Sequence, residues 1–478
     1  MDPTEFRAVG TAVVERLAKY FENVDNLPLF PDVAPDHLAA LFADELPRGP
    51  TPAGDVLAEL ETKLFPYLCH VGHPGYFGYI TPSPTPMGAL GDLIAAALNQ
   101  NLALYAIGPG AVAMERQTVR WLTDLVGYGD GGGGHLTSGG TLANLTGLKL
   151  ARDWTSGDAA QTAGVTGPMA AYTSEERHVS VDKAADMIGI GRDGLRVVPT
   201  DDRFRIRIDA LEEAIARDRA AGVRPICIVA MGGSTATGAV DPLLELRRIA
   251  DREKMWLHVD AAYGGGMLLS REHPGLLHGI ETADSVTLDP HKWFYAPLDA
   301  GAILVRDAAR LTASFGMAPA YLVDRADEEG ERYDYYVHGF EQSRRFRSLK
   351  VWMSFKRYGA AQIGEWVDAN VAHARRLYSL ATAAGDFEAA TEPPMSAICI
   401  RYTGGELAEP ERARLHAAVA RRVEESGRFW ISTTVLKGHT WFRINPVNFR
   451  TRTEHVEGLF AMLRAECGAA AGAAPRNI

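Results

Sequence analysis

The chain has 478 residues, of which 46% are hydrophobic and 23% are charged, and its formal net charge is −11. This length and composition predict a soluble protein of two or three domains, because one hydrophobic core rarely extends over so long a chain. The acidic balance and the lack of a dense Lys/Arg cluster argue against nucleic acid or a membrane surface as the main partner, and no apolar run approaches the roughly 20 residues that span a bilayer.

The predicted elements divide the chain into three parts. Residues 1–85 have helical patterns separated by Pro-rich connections. In residues 86–360, helical and strand patterns alternate, which predicts an α/β domain with a mostly parallel central sheet and helices on both faces. The predicted strands of this sheet are 170–174, 196–198, 226–231, 256–259, 285–288 and 302–305. Residues 361–478 begin with a long helical pattern followed by mixed elements, typical of a small α+β domain.

A glycine-rich segment over residues 131–144, which includes Gly139, Gly140 and Thr141, precedes an apolar helical run over 145–151. Glycines and hydroxyl groups at a helix start leave backbone N–H groups open to a phosphate at the positive end of the helix dipole. The segment matches neither a Walker loop nor the dinucleotide fingerprint. The alternative is a flexible connection followed by an ordinary helix cap.

Two further candidates follow predicted strands. The loop 231–238, which includes Thr235, comes directly after a strand, where ligands often bind in open α/β sheets. A polar turn would have the same pattern. His178 follows the strand 170–174 and could reach the same sheet edge, where an imidazole can stack on a ring or exchange protons. A structural or surface histidine is the alternative.

The segments that end near Asp260 and Lys292 are the most informative in the chain. Residues 256–260 predict a short apolar strand ending in a carboxylate, and residues 285–293 predict a second strand leading to Lys292. Neighbouring strands would bring the acid and the amine to one sheet edge. An amine that forms a Schiff base and a carboxylate that keeps a pyridine nitrogen protonated are the minimum equipment for pyridoxal phosphate (PLP) chemistry. Either residue alone would be an ordinary surface charge.

The cysteines and the N-terminus indicate the compartment. The four cysteines are scattered and lack metal-ligand spacing, which suits a reducing environment and predicts no metal site. Residues 1–6 are acidic and lack the apolar core of a secretory signal. We therefore expect a cytoplasmic protein.

Three motifs give the chain a resemblance to the group II PLP-dependent amino acid decarboxylases, especially the aromatic L-amino acid decarboxylases and their bacterial relatives. They are residues 257–263 (LHVDAAY), 289–293 (DPHKW) and 344–352 (RRFRSLKVW). The resemblance implies the type I, aspartate aminotransferase-like fold of PLP-dependent transferases. It also implies a homodimer with active sites at the subunit interface, in which residues 1–85 wrap around the partner.

The resemblance further implies roles for individual residues. Lys292 would be the Schiff-base lysine, Asp260 the partner of the pyridine nitrogen and His178 the residue stacked on the ring. Tyr321 matches the tyrosine of a mobile catalytic loop and is the first choice for the acid that reprotonates Cα. The remaining residues implied to surround PLP are Gly139, Gly140, Thr141, Thr235, Asp289 and His291.

The implied reaction is the decarboxylation of an L-amino acid, aromatic or related, to its amine and CO2. Arg443 matches an arginine linked with binding of the substrate carboxylate, and Tyr79 lies in a substrate-side stretch. Pro82 replaces a threonine of the animal aromatic enzymes, and Asn101 and Ala103 replace bulkier pocket residues. These departures predict a substrate range that differs from that of the animal enzymes.

Three alternatives stay open at this point. An aldehyde synthase of the same family uses oxygen and releases aldehyde, ammonia and peroxide. Such relatives typically lack the loop tyrosine or the ring-stacking histidine, whereas Tyr321 and His178 are both present. Another type I reaction, such as transamination, is disfavoured by the sequence around Lys292. The third alternative is a non-catalytic, phosphate-binding scaffold.

Overall fold

The computed structural model describes residues 1–157, 159–317 and 332–473. Tyr321 lies outside the described residues. The chain divides into two compact units, here called the large unit and the small unit. The large unit comprises Ile80–Arg375 and Thr391–Ile398, and the small unit comprises Met1–Tyr79, Arg376–Ala390 and Cys399–Ile478. The sequence-based division at residues 85 and 360 stays a prediction.

Within the described residues, a seven-stranded mixed sheet forms the centre of the large unit. Its strands are β1 (Gly133–Thr137), β2 (Met169–Ser174), β3 (Leu195–Val198), β4 (Arg224–Met231), β5 (Trp256–Asp260), β6 (Ser285–Leu288) and β7 (Gly301–Val305). Their spatial order is β1-β7-β6-β5-β4-β2-β3. The pairs from β3 to β6 are parallel, whereas β7 is antiparallel to both β6 and β1. The predicted mostly parallel central sheet is therefore confirmed.

The α-helices within the described residues are, in chain order, α1 (Pro3–Asn23), α2 (Pro35–Leu41), α3 (Ala53–Lys63), α4 (Pro86–Leu98), α5 (Pro109–Val126), α6 (Gly140–Ser156), α7 (Ala160–Ala163), α8 (Val179–Met187), α9 (Ile208–Ala220), α10 (Leu243–Glu253), α11 (Ala309–Phe315), α12 (Ser348–Ala383), α13 (Glu409–Glu425) and α14 (Thr453–Ala473). Helix α12 has a kink at Gly359, whose φ is 73°. No helix within the described residues combines the length with the apolar composition that crossing a membrane requires.

Burial explains the sequence pattern of the central strands. Every residue of β5 and β6 is buried, and so is every residue of β4 except the first. Consecutive residues of a strand point to opposite faces, so both faces of this part of the sheet are covered. This is why these strands appear in the sequence as short continuous apolar runs rather than alternating ones.

The small unit has its own four-stranded sheet. Its strands are β8 (Phe387–Ala389), β9 (Ile398–Tyr402), β10 (Ser432–Leu436) and β11 (His439–Ile444). Their spatial order is β10-β11-β9-β8, and the outer pairs at both ends are antiparallel. The predicted small C-terminal α+β region is thus present, built from this sheet with α13 and α14.

Strand β1 was not predicted, because it lies inside the glycine-rich segment 131–144. Two of its five residues are glycines, which have low β propensity, so the sequence resembles a flexible connection. In the structure the strand pairs with β7 over its full length, and four of its residues are buried. Tertiary pairing therefore outweighs local propensity here.

A buried ion pair fixes the end of β1. The Nη2 atom of Arg344 lies 2.5 Å from Oε1 of Glu115, and the two side chains are 3% and 0% exposed. The backbone of Leu136 donates to Glu115 Oε1 at 3.0 Å and accepts from Arg344 Nη2 at 3.0 Å. Removing one partner of such a pair typically costs about 3–5 kcal/mol, because it leaves a buried charge. The pair thus holds in place the strand that leads to Gly139.

Candidate functional site

Asp260 and Lys292 face one cavity at the carboxyl ends of two neighbouring strands. Asp260 is the last residue of β5, where it pairs in register with Thr287 of β6, and β6 ends shortly before Lys292. Both residues line a cavity of about 470 Å³. This volume lies in the range of small-molecule sites. The structure therefore brings the predicted acid and amine together.

The same cavity collects all the other residues that the sequence placed around PLP. These are Gly139, Gly140, Thr141, His178, Thr235, Asp289 and His291. The cavity is also lined by residues that the sequence did not single out, although most lie in the segments 131–144, 231–238 and 257–263; they are Ser138, Leu142, Asn144, Ser180, Met231, Gly233, Ser234, Ala262, Tyr263 and Leu298. For Asn144 a signal existed, since it lies one helical turn after Gly140 and is therefore on the same face of α6.

Lys292 lies beside a buried carboxylate. Its Nζ is 2.9 Å from Oδ2 of Asp289, and the two side chains are 21% and 1% exposed. The other oxygen of Asp289, Oδ1, has no hydrogen-bond partner among the described residues. Nδ1 of His291 lies 2.8 Å from the carbonyl oxygen and 3.2 Å from the backbone nitrogen of Ala300, and burial lowers the pKa of its imidazole. The cavity wall thus holds one amine, one carboxylate and one neutral imidazole in a short turn.

Asp260 is held by two donors. Nδ2 of Asn144 donates to Oδ2 of Asp260 at 2.8 Å, and the backbone N–H of Ala262 donates to Oδ1 at 3.1 Å. The Asp260 residue is 6% exposed. Each carboxylate oxygen therefore accepts one hydrogen bond from the protein, which fixes the orientation of the group. The remaining lone pairs are available to a ligand in the cavity.

His178 is the residue that caps the start of α8. Its Nδ1 accepts the backbone N–H of Ser180 at 3.2 Å and lies 2.8 Å from the hydroxyl of Ser180. Burial lowers the pKa of the imidazole, while the nearby Asp260 raises it to a smaller extent. A neutral imidazole at the cavity wall suits stacking against a ring.

The start of α6 forms another wall. Among the described residues no side chain caps this helix end, and the N–H of Leu142 donates to the carbonyl oxygen of Gly139 at 3.1 Å. Gly140 and Thr141 therefore begin the helix at its positive dipole end, which favours an anion. A Cβ atom on Gly140 would lie 2.9 Å from Oδ2 of Asp289 and 3.2 Å from Cβ of Ala262. A side chain at position 140 would therefore press on the carboxylate of Asp289, which contacts Lys292.

The loop after β4 forms the opposite wall, and Thr235 lines the cavity from it. The hydroxyl groups of Ser234 and Thr237 both donate to Oε2 of Glu176 at 2.9 Å. The backbone N–H of Gly232 donates to the carbonyl oxygen of Asp260 at 2.8 Å. The loop is thus tied to the same strand end that carries the acid.

Three predicted substrate residues belong to the large unit but are not part of this cavity lining. Pro82 and Ala103 are buried. The Oδ1 atom of Asn101 accepts the backbone N–H groups of Ala103 at 3.0 Å and Arg344 at 2.9 Å. Since its amide oxygen is engaged by the backbone, Asn101 shapes the loop that contains Ala103.

Two predicted substrate residues belong to the small unit. Tyr79 is 58% exposed, and its ring meets the ring of Trp430 edge-on with centroids 4.7 Å apart. Arg443 is 5% exposed and donates from Nη1 to the carbonyl oxygen of Gly78 at 2.6 Å. This bond holds the arginine next to the backbone of the segment that carries Tyr79.

Comparison with known proteins gives a consistent result. The sequence profile of a family described as the pyridoxal-dependent decarboxylase conserved domain matches residues 35–403. An aromatic-L-amino-acid decarboxylase of Bacillus atrophaeus is 32% identical over 463 residues, 96% of this chain and 95% of that protein. A phenylacetaldehyde synthase of Arabidopsis thaliana is 28% identical over 474 residues, 98% of this chain and 96% of that protein.

A solved structure with a similar fold supports the same family. The crystal structure of Oryza sativa TDC with PLP and tryptamine matches this structure with a TM-score of 0.92 at 27% identity, covering 98% of this chain and 99% of that chain. The cavity fits PLP, because it contains an amine, a carboxylate, a neutral imidazole and an uncapped helix start. Asp289 Oδ1, buried without a partner among the described residues, also leaves an acceptor for a ligand.

The helix start gives a first testable prediction. Replacing Gly140 by Ala should weaken PLP binding by roughly tenfold, or about 1.4 kcal/mol, because the added methyl group would displace the turn that carries Asp289 and Lys292. The measurement is a titration of PLP into the cofactor-free protein. The matched control is Gly110→Ala, since a Cβ atom on Gly110 meets nothing within 4 Å. Equal affinities of the two variants would contradict the close approach.

Proposed function

This chain belongs to the pyridoxal-dependent decarboxylase family, and on that premise we propose that it converts an L-amino acid, aromatic or related, into the corresponding amine and CO2. Its cofactor is PLP, and its reaction class is the PLP-dependent decarboxylation of an amino acid. The observation that supports the finer proposal is the position of Asp260 and Lys292, which line one cavity from neighbouring parallel strands.

Lys292 is the proposed site of covalent PLP attachment. Its amine is held at the cavity wall by the carboxylate of Asp289, at 2.9 Å. PLP, when bound, supplies an aldehyde carbon that reacts with amines and a ring that accepts the electron pair left at Cα when CO2 departs. Lys292 would hold the cofactor through its amine, and Asp289 would keep that amine at the cavity wall.

Asp260 is the proposed partner of the pyridine nitrogen. Its carboxylate would accept a hydrogen bond from the protonated nitrogen and so favour the protonated form, which would make the ring a strong electron acceptor. The contacts from Asn144 and the N–H of Ala262 keep the carboxylate oriented before PLP arrives. Orientation of the reacting groups before the reaction lowers the entropic part of the barrier.

The remaining lining residues are proposed to hold the ring and the phosphate. His178 would stack on the ring with a neutral imidazole. The phosphate would be held at the uncapped start of α6, where Gly140 and Thr141 would offer backbone N–H groups and Gly139 leaves room for close approach. Thr235, from the loop after β4, and His291 complete the enclosure.

The substrate-side residues are proposed from the family resemblance. Tyr321 would donate the proton that returns to Cα, and Arg443 would bind the substrate carboxylate. Tyr79, Pro82, Asn101 and Ala103 would shape the side-chain pocket. The Bacillus atrophaeus relative is an aromatic-L-amino-acid decarboxylase, which supports an aromatic or related substrate.

An aldehyde synthase is the second candidate, because the Arabidopsis thaliana relative has that kind of activity in its name. The presence of both Tyr321 and His178 favours decarboxylation, since an acid near Cα returns a proton there before oxygen reacts. A non-catalytic scaffold is the candidate from a different class.

A homodimer with active sites at the subunit interface is part of the proposal. On α4, Leu90, Leu93, Ile94 and Leu98 are 44%, 53%, 42% and 56% exposed. None of the residues of α1, α2 and α3, all of them described, is buried, although these helices carry apolar side chains. Exposed apolar residues along one helix, such as those of α4, mark protein interfaces.

Sedimentation equilibrium should therefore give twice the 51.8 kDa of one chain at micromolar protein concentration. A Leu93→Asp variant should shift the mass towards one chain, because a charge cannot be buried in an apolar interface without a partner. A wild-type protein that sediments only as a single chain would contradict the proposed dimer.

We also place the protein in the cytoplasm, because all four cysteines are free thiols and so suit a reducing compartment. Recovery of the native protein outside the cytoplasmic fraction of its own cells would contradict this.

Lys292→Ala tests the proposed attachment site. This variant should lose roughly a thousandfold or more of amine formation and should lack the visible absorbance of covalently bound PLP. Lys356→Ala, which removes an exposed lysine of the same unit, should retain both. A wild-type protein that stays colourless with PLP would favour the scaffold, and full activity in Lys292→Ala would move the site elsewhere.

Tyr321→Phe separates the decarboxylase from the synthase. Loss of the phenol should lower amine output and raise aldehyde and peroxide, because Cα then lacks its proton donor. Amine and peroxide are measured in the same reaction for the variant and the wild type. An unchanged product ratio would remove Tyr321 from the protonation step, and a wild-type protein that releases mainly peroxide would favour the synthase.

A further inference from the structure

A buried hydrogen-bond network lies directly behind the cavity wall, with Asn144 of α6 at its centre. Its Nδ2 donates to Oδ2 of Asp260 at 2.8 Å and to the hydroxyl of Ser180 at 2.9 Å. Its Oδ1 accepts from the hydroxyl of Thr287 at 2.7 Å and lies 3.0 Å from Nε2 of His258. Asn144 is 1% exposed, so all four contacts are made inside the protein.

The orientation of the Asn144 amide is fixed by its neighbours. A flipped amide would place Oδ1 at 2.8 Å from Oδ2 of Asp260, and two acceptors at that distance repel each other. Two groups on the other side also favour the observed orientation, because the hydroxyl of Thr287 and a protonated Nε2 of His258 both donate to Oδ1. The amide can therefore donate only towards Asp260 and Ser180.

His258 supports this orientation as a neutral donor. Burial lowers the pKa of its imidazole to about 4, so near neutral pH it carries one N–H, which must be on Nε2 because Asn144 Oδ1 only accepts. Its Nδ1 then accepts from the hydroxyl of Ser285 at 2.8 Å. The indole N–H of Trp256 donates to the same hydroxyl oxygen at 2.8 Å and thereby favours that direction.

The other branch of the network leads to His178. Since the hydroxyl oxygen of Ser180 accepts from Asn144, its own hydrogen is free to donate to Nδ1 of His178 at 2.8 Å. The backbone N–H of Ser180 donates to the same nitrogen. With Nδ1 accepting twice, the proton of the neutral imidazole is on Nε2.

We infer that Asn144 is a positioning residue for the reaction, because one side-chain amide orients Asp260 directly and His178 through Ser180. The inference deepens the proposed function and rests on it. The amide thus fixes the orientation of both groups proposed to contact PLP. These are Asp260, at the pyridine nitrogen, and His178, on the face of the ring. Thr287, His258, Ser285 and Trp256 hold that amide in its working orientation.

Close packing of α6 makes this arrangement specific. A Cβ atom on Gly147 would lie 2.5 Å from both Cε1 and Nδ1 of His258. The helix that carries Asn144 therefore approaches the His258 ring only because position 147 has no side chain.

The test exchanges the amide for a carboxyl group of the same shape. In Asn144→Asp, the introduced carboxyl can donate to Asp260 when protonated, as the amide does, but repels it when ionised. The titratable groups facing position 144 are Asp260 and His258 from β5 and His178 from the start of α8. Lys292, Asp289 and His291 line the same cavity.

The readout is the PLP dissociation constant of the full-length protein at each pH. It is expressed as the ratio of variant to wild type, so that the effect of titratable groups present in both proteins cancels. For Asn144→Asp we expect PLP affinity to fall at least roughly tenfold near pH 8.5 and only about threefold or less near pH 6, where the introduced carboxyl is more often protonated. For Asn144→Leu we expect PLP affinity to fall by a similar factor at both pH values, because leucine does not titrate. Asn448→Asp, another buried amide that donates to two carbonyl oxygens, should show no such pH dependence.

Ser180→Ala provides a second test if the variants at 144 do not fold. It removes the hydroxyl donor of His178 but keeps the contact between Asn144 and Asp260. We expect PLP affinity within about threefold of the wild type and a kcat reduced about fivefold, the effect of one hydrogen bond. KM should stay unchanged.

The outcomes separate this inference from the proposed function. Wild-type protein that binds no PLP overturns both. PLP binding by the wild type together with a pH-independent ratio in Asn144→Asp, or with wild-type kcat in Ser180→Ala, overturns the inference alone.

Discussion

The parallel pairing of β5 with β6 is the constraint on which the site depends. Because Asp260 pairs in register with Thr287, the ends of both strands lie at the same edge of the sheet. An acid and an amine that are distant in sequence thereby line one cavity of about 470 Å³. Burial of these strands on both faces fixes their register, since a slip by one residue would move every side chain to the opposite face.

The polar side chains at this sheet edge are held in place by specific partners. Asp289 holds the amine of Lys292, and Asn144 holds the carboxylate of Asp260. A buried polar group without a partner is costly, so a network in which each member has a defined donor or acceptor direction is also rigid. In the proposed function PLP requires an acid and an amine at fixed positions, and a rigid polar network would hold Asp260 and Lys292 there.

The sequence predicted the central strands, and the residues it proposed to surround PLP line one cavity, because buried parallel strands appear as short apolar runs and polar groups follow their ends. It did not predict β1, where two glycines mask a strand that only its pairing with β7 stabilises. It also missed Asn144, whose role depends on its contacts with residues far away in the chain. Asn101 was predicted on the substrate side, but its amide oxygen binds the backbone of Ala103 and Arg344, which no local pattern shows.

The most direct test of the account is a crystal structure of the protein grown with PLP. We expect continuous electron density between Nζ of Lys292 and the cofactor, with the pyridine nitrogen about 3 Å or less from a carboxylate oxygen of Asp260. Density that joins PLP to another lysine, or a ring whose nitrogen faces away from Asp260, would contradict it.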